Sequence, residues 1–248
     1  MARRLLFSIS TATALSHALL ITPALISPAG AQSKPVLNKA TEPDTRNLIG
    51  VWALTDNLNN LFNVRLYPDG KAVSTIGTSG AASAGAKRLS ASELRELGQW
   101  QPWGNGVRVD YSNGWTDWIY IGPEGLSHSS WQPGQNRGTV PFNFGPAVKL
   151  NGPTAEVVGV YSFPPAQSGL KPYTATLLSN GLAFNDIDNK AGGVWRLDGN
   201  TVIIDWISGW RTTMSINPAT MLELRHWAPG TDRQGPETGG KRQGKRIT

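Results

Sequence analysis

Ten tryptophans stand out in a chain of 248 residues. A flat indole fills a β core well, and it also stacks on sugar rings or lines a ligand pocket. Six of the ten fall into pairs. Trp100 and Trp195 lie 95 residues apart, as do Trp115 and Trp210, and Trp131 and Trp227 lie 96 apart. Trp100 and Trp195 follow Gly at the start of strand-like segments, where core packing is the expected role. Trp115 and Trp210 follow turn glycines, so they sit at hairpin ends, equally suited to packing and to binding. Trp103 and Trp118 align with Asp198 and Thr213 in the other stretch, which makes them candidates for a function confined to the first. The candidate ligand-binding residues are therefore Trp103, Trp115, Trp118 and Trp210.

The titratable residues are sparse. Asp110 and Asp205 match at the same 95-residue spacing, and a catalytic reading would pair them as general acid and base or as nucleophile and acid. Each also precedes a Gly-containing turn that a short carboxylate can cap, and turn capping is the expected role. His128 in Ser127-His128-Ser129-Ser130 and His226 before Trp227 lack the neighbouring carboxylates of a metal site. A Ser–His–Asp relay assembles in space, so it stays open, but no G-x-S-x-G, H-E-x-x-H or phosphate loop is present. Asp186-Ile187-Asp188-Asn189 opens like a calcium loop without its distal Glu. With no Cys, thiol nucleophiles, thiolate zinc and disulfides are excluded. The reading is no assigned catalytic residue, no cofactor and no metal, with enzymatic activity open and the balance toward binding.

The elements that must position these side chains are strands, and they come twice. Gly50-Val51-Trp52, Leu66 to Ala72, Gly98-Gln99-Trp100, Asn105 to Tyr111, Asn113-Gly114-Trp115 and Trp131-Gln132-Pro133-Gly134 form the first copy. Gly159-Val160-Tyr161, Leu177 to Ala183, Gly193-Val194-Trp195, Asn200 to Trp206, Ser208-Gly209-Trp210 and Trp227-Ala228-Pro229-Gly230 repeat it in order. Val107, Val109 and Tyr111 alternate with Arg108 and Asp110, the period of a half-buried strand, and Val202, Ile204 and Trp206 do the same. Asp69-Gly70, Asn105-Gly106, Asn113-Gly114 and Asn180-Gly181 are hairpin signals. About six or seven short strands per copy are expected, paired in sequence, because parallel pairing needs helical crossovers. The fold class is all-β: two tandem repeats of an antiparallel meander. Residues 47–134 hold repeat 1, with an insertion at 77–97 in which Ser90 and Glu93 suggest a capped helix through Leu97. Residues 135–156 read as a linker, 157–230 as repeat 2, and 231–248 as a disordered basic tail.

The order of Gly50-Val51-Trp52, a strand, the Asp69-Gly70 turn, Gly98-Gln99-Trp100 and a further strand resembles small bacterial lipocalin-like β-barrel domains, here in tandem duplicate. The second copy departs in carrying Tyr161. The resemblance implies small barrels or one larger closed sheet, with Trp52 closing one end beneath an Arg of a late strand, Arg225 being the candidate. It also implies a pocket for a small apolar or amphipathic ligand.

Residues 1–31 read as a signal peptide: Arg3-Arg4, an apolar stretch, and Ala29-Gly30-Ala31 before Gln32. Residues 32–46 form a polar leader. Export without Cys points to a bacterial periplasmic or secreted protein. Removing the signal takes the net charge from +6 to +4 by loss of Arg3 and Arg4, and much of the remainder lies in the last sixteen residues. The body is near neutral, which argues against nucleic acid and leaves the basic tail as a contact for an anionic envelope surface. The expected partner is a small-molecule or glycan ligand. The leading expectation is a non-catalytic binding protein for an apolar or amphipathic ligand. The alternatives are a carbohydrate- or cell-wall-binding module using exposed Trp and a structural envelope protein.

Overall fold

The structure, a computed structural model, describes residues 47–75, 94–165, 169, 171–187, 192–215 and 222–247. The signal peptide, the polar leader, the Ser90–Glu93 capping signal and Asp188-Asn189 of the calcium-like motif lie outside these residues.

Two closed barrels of eight antiparallel strands follow one another along the chain. The first comprises β1 (Gly50–Thr55), β2 (Leu61–Leu66), β3 (Lys71–Thr75), β4 (Arg95–Trp103), β5 (Gly106–Tyr111), β6 (Thr116–Gly122), β7 (Gly125–Trp131) and β8 (Asn143–Leu150). A short helix α1 (Gly152–Val157) leads into the second: β9 (Gly159–Phe163), β10 (Tyr173–Leu177), β11 (Leu182–Asn185), β12 (Gly192–Asp198), β13 (Thr201–Trp206), β14 (Arg211–Ser215), β15 (Leu222–Trp227) and β16 (Arg242–Arg246). Each strand pairs with its neighbours in sequence, β8 returns to β1 and β16 returns to β9, so neither sheet is left with an open edge. Of the two architectures expected, two barrels are formed.

The alternation read from the sequence sets the faces. Val107, Val109 and Tyr111 point into the first barrel with Leu54, Phe62 and Val64, while Arg108 and Asp110 point out. Val202, Ile204 and Trp206 point into the second, with Phe163, Leu177 and Met214. Among the described residues, both interiors are filled by these side chains. Gly106 does not serve the turn: Gly104, at φ +57°, does. A Cβ on Gly106 would lie 2.0 Å from the Ile119 carbonyl oxygen, so its glycine is needed for the close approach of β5 to β6.

The structure corrects four expectations. Each copy has eight strands rather than six or seven. The 135–156 linker contains β8, whose outward residues Phe144, Pro146 and Val148 are apolar or imino and hide the in–out alternation. Arg95–Leu97 begin β4 instead of ending a helix. Most consequential, the 231–248 tail contains β16. That strand reads Arg-Gln-Gly-Lys-Arg, and only the buried Gly244 faces inward between Arg242 and Arg246, so composition carries no trace of it. Two basic residues of this segment are engaged. Arg246 lies over the Tyr161 ring at 5.3 Å, and Lys241 approaches Glu223 at 3.7 Å.

The first strand of each barrel is closed in the same way. Trp52 Nε1 donates to the carbonyl of Leu48, four residues back, at 3.0 Å, and the Tyr161 hydroxyl donates to that of Val157. Above Trp52 lies Lys149 of β8, its Nζ at 5.9 Å from the ring, as Arg246 of β16 lies above Tyr161. An aromatic under a cation of the last strand is thus present in both barrels. The cation is not Arg225, which pairs with Glu223 at 2.9 Å.

The barrels pack through the outer faces of β2–β3 and β9–β10. Asn63, buried, donates to Ser179 Oγ at 3.0 Å and accepts from the Ser179 backbone N–H at 3.0 Å. Arg65 Nη2 donates to the carbonyls of Ala155 and Val158, at 2.5 and 2.9 Å, and the Thr176 hydroxyl donates to that of Leu94 at 2.8 Å. These bonds satisfy polar groups that the contact removes from water.

Candidate functional site

Four consecutive strands of the first barrel, β4 to β7, turn a set of large side chains outward. Arg108 of β5 faces Trp118 of β6 across the ladder, and Asp110 faces Thr116, which faces Trp131 of β7. Trp103, the last residue of β4, stands over this surface and is 40% exposed. The loop between β7 and β8 folds back to wall the other side. Trp131 Nε1 holds it by donating to the Thr139 carbonyl at 3.2 Å, and Pro133 packs at Gly114. That fold-back brings Arg137 over Thr116. The result is a cleft of about 120 Å³ lined by Trp103, Arg108, Thr116, Trp118, Trp131 and Arg137. Pockets that enclose drug-sized ligands span about 300–1,000 Å³. This one is well below that range.

Its walls are held rigidly. Arg108 lies over the Trp103 ring at 4.1 Å and its Nε donates to Asp110 Oδ2 at 2.8 Å. Arg137 donates to Asp110 Oδ1 at 2.8 Å and to the Thr116 hydroxyl at 2.9 Å. Thr116 in turn donates to Asp110 Oδ1 at 3.0 Å. Trp118 is backed by Tyr120, stacked at 4.0 Å between centroids. Asp110 is therefore not a turn cap. It is a carboxylate between two guanidiniums that fixes where both cations sit.

The second barrel builds the same frame without the two indoles. Asp205 accepts from Arg211 at 2.7 Å, Arg196 at 2.9 Å and Arg233 at 3.3 Å, and these cations, Arg211 foremost, hold its carboxyl below the usual range. Trp227 Nε1 anchors its own loop on the Gly235 carbonyl at 3.1 Å. At the positions of Trp103, Arg108, Thr116 and Trp118, however, stand Asp198, Ile203, Arg211 and Thr213. The aromatic walls are gone, and the hydroxyl is replaced by a guanidinium turned onto Asp205.

Inside each barrel lies a second duplicated feature. In the first, the Tyr111 hydroxyl donates to Asp117 Oδ2 at 2.8 Å and the Ser130 hydroxyl to Oδ1 at 2.5 Å. In the second, Trp206 Nε1 donates to Thr212 Oγ1 at 2.9 Å, and that oxygen lies 3.0 Å from His226 Nδ1. Burial pushes the His226 imidazole down to about 4, which agrees with a neutral ring. Burial also raises Asp117, and it raises Glu96 to about 7 with help from the charge on Asp117.

Asp117, His128 and Ser130 do not form a relay. The Ser130 proton goes to Asp117, and neither nitrogen of the fully buried His128 has a hydrogen-bond partner among the described residues. Among those residues no group of three His, Cys, Asp or Glu is placed to hold a metal.

Of the four candidate tryptophans, the cleft brings together Trp103 and Trp118. Trp115 and Trp210 are half-buried and pack on the two cores, Trp115 also against Phe142 at 5.6 Å. Sequence reasoning missed Arg108, Thr116 and Arg137. The first two were visible as breaks in the repeat, against Ile203 and Arg211. Arg137 lay in the supposed linker, though Arg233 matches it at the 96-residue spacing of the Trp131–Trp227 pair. Comparison with protein-family models, with curated proteins and with solved structures finds no match for this chain.

Proposed function

We propose that the chain is an exported, non-catalytic binding protein of the bacterial envelope that seats one sugar ring in the cleft between Trp103 and Trp118. One observation carries this reading. Two outward indoles, one stacked on Arg108 and the other on Tyr120, flank a small cleft, and the duplicated barrel carries neither indole. Aromatic faces recognise the apolar C–H surface of a sugar, and rigid mounting lowers the ordering cost of binding. The interiors of both barrels are occupied by their own side chains, so the reading places the ligand outside the barrel wall.

The test is tryptophan fluorescence titration of the signal-free protein with oligosaccharides. Trp103→Ala and Trp118→Ala are each expected to weaken binding about tenfold or more, as central aromatic anchors do, with the near-UV dichroism retained. Trp210→Ala leaves affinity unchanged. Two results overturn the proposal: glycan binding untouched by either cleft substitution, or saturable binding of a fatty-acid probe that depends on the barrel interior and not on Trp103.

A further inference from the structure

We infer that the ring bound in this cleft carries a negative charge, a carboxylate or a sulfate, held by Arg108 and Arg137. This rests on the glycan reading above and narrows its ligand class. The hydrogen-bonding inventory of the wall selects the ligand. Among the six lining residues there is no Asp, Glu, Asn or Gln. Arg side chains and indole N–H groups donate and do not accept. The one side-chain acceptor in the lining, the Thr116 hydroxyl oxygen, already receives Arg137 at 2.9 Å, and both oxygens of the neighbouring Asp110 are taken by Arg108 and Arg137. A neutral sugar presents hydroxyls that must donate as well as accept. A ligand rich in acceptors fits this wall, and a neutral polyol leaves its donors unpaired.

Free donors remain. Arg108 spends its Nε on Asp110, and its two terminal nitrogens have no hydrogen-bond partner among the described residues; Nη1 of Arg137 has none either. Charge agrees. Two guanidiniums share the single carboxylate of Asp110, which leaves one positive charge in excess at the rim. Arg108 is fixed by its stack on Trp103, so its planar fork is already oriented before a ligand arrives, the arrangement that favours carboxylate and sulfate recognition. In the second barrel three Arg converge on Asp205 at the outer surface, and no indole wall stands beside them. Anion recognition with ring stacking therefore belongs to the first barrel alone.

Titration calorimetry on the signal-free protein tests this with three probes of equal length: a galacturonate oligosaccharide, its neutral galactose counterpart, and a sulfated galactose oligosaccharide. At least one acidic probe is expected to bind ten times or more tighter than the neutral one, and to weaken as salt is raised. Which of the two acidic probes does so distinguishes carboxylate from sulfate. Arg108→Gln, which leaves the Arg137–Asp110–Thr116 contacts in place, and Arg137→Gln are expected to bring the acidic probe to the neutral affinity. Equal binding of neutral and acidic probes, unaffected by salt and by both Arg substitutions, overturns the inference and leaves the glycan reading standing. Binding of none of the three overturns both. Competition by inorganic sulfate as effective as by the sulfated sugar overturns the inference in favour of a simple ion site.

Discussion

A chain truncated after Gly240 is expected to lose the fold of its second half. The eight removed residues include β16, which pairs with β15 from Leu222 to Leu224 and with β9 at Ser162 and Tyr161. Without it the second barrel opens. Strands β9 and β15 gain unpaired edges, and the inner sides of Phe163 and Leu224, both fully buried, face water. Exposing two or three large side chains costs roughly 1.5–3 kcal/mol each. The sum is comparable with the whole stability of a small domain, about 5–15 kcal/mol. Urea unfolding followed by near-UV dichroism is expected to show the second barrel's transition lost or shifted to very low denaturant, with the first retained. A gentler variant isolates the packing. Gly244→Val places a Cβ at 2.8 Å from Leu224 Cδ1 and 3.2 Å from Phe163 Cδ1, an overpacking worth about 1–3 kcal/mol. An unchanged midpoint in both proteins would return these residues to the role of a free tail.

The second large effect is with pH, and the two barrels respond oppositely. Glu96 is buried at the end of the first barrel near Asn113, and its carboxyl is raised to about 7 from an ordinary 4.5. Protons therefore favour the folded state. Its contribution is fully present below pH 4.5 and is lost as pH rises through 7. The difference between those limits is about 3 kcal/mol. His226 is lowered to about 4 from 6.5. Its contribution is present above pH 6.5 and lost as pH falls toward 4, again by about 3 kcal/mol. Glu96→Gln keeps the oxygen that accepts from Asn113 Nδ2 at 2.8 Å and removes the titration. Relative to the parent it is expected to stabilise the first barrel by about 3 kcal/mol at pH 8 and by almost nothing at pH 4. Denaturant midpoints across that range check it. A constant difference between parent and variant would show that Glu96 ionises normally.

Much of the architecture is legible in the sequence. The shared spacing of Trp100/Trp195, Asp110/Asp205 and Trp115/Trp210 disclosed the duplication, and the alternation in Val107–Tyr111 and Val202–Trp206 named their inward faces. Asp110 was legible as a matched residue but not as an Arg hub, because its partner Arg137 arrives from a loop 27 residues later. Comparing the copies marked Trp103 and Trp118 as the ones to watch, and they are the two that share a cleft. For Trp115 and Trp210 the sequence does not separate packing from binding, because a hairpin end has two sides. The cores of their own barrels take them.

What the sequence by itself determined is the local part: that the chain is β, that it repeats, which residues of each strand face the same way, and which copy carries the extra indoles. Those follow from side-chain period and turn chemistry, which act between near neighbours. Only the tertiary structure decided that each repeat closes on itself, that β8 and β16 are the closing strands, and that Arg108 and Arg137 meet over Thr116. Closure is a backbone event. A strand such as Arg242–Arg246 joins because two edges need hydrogen bonds, whatever its side chains say. The cleft is a folding-back event, in which Trp131 ties a loop to the barrel wall and sets two guanidiniums beside two indoles.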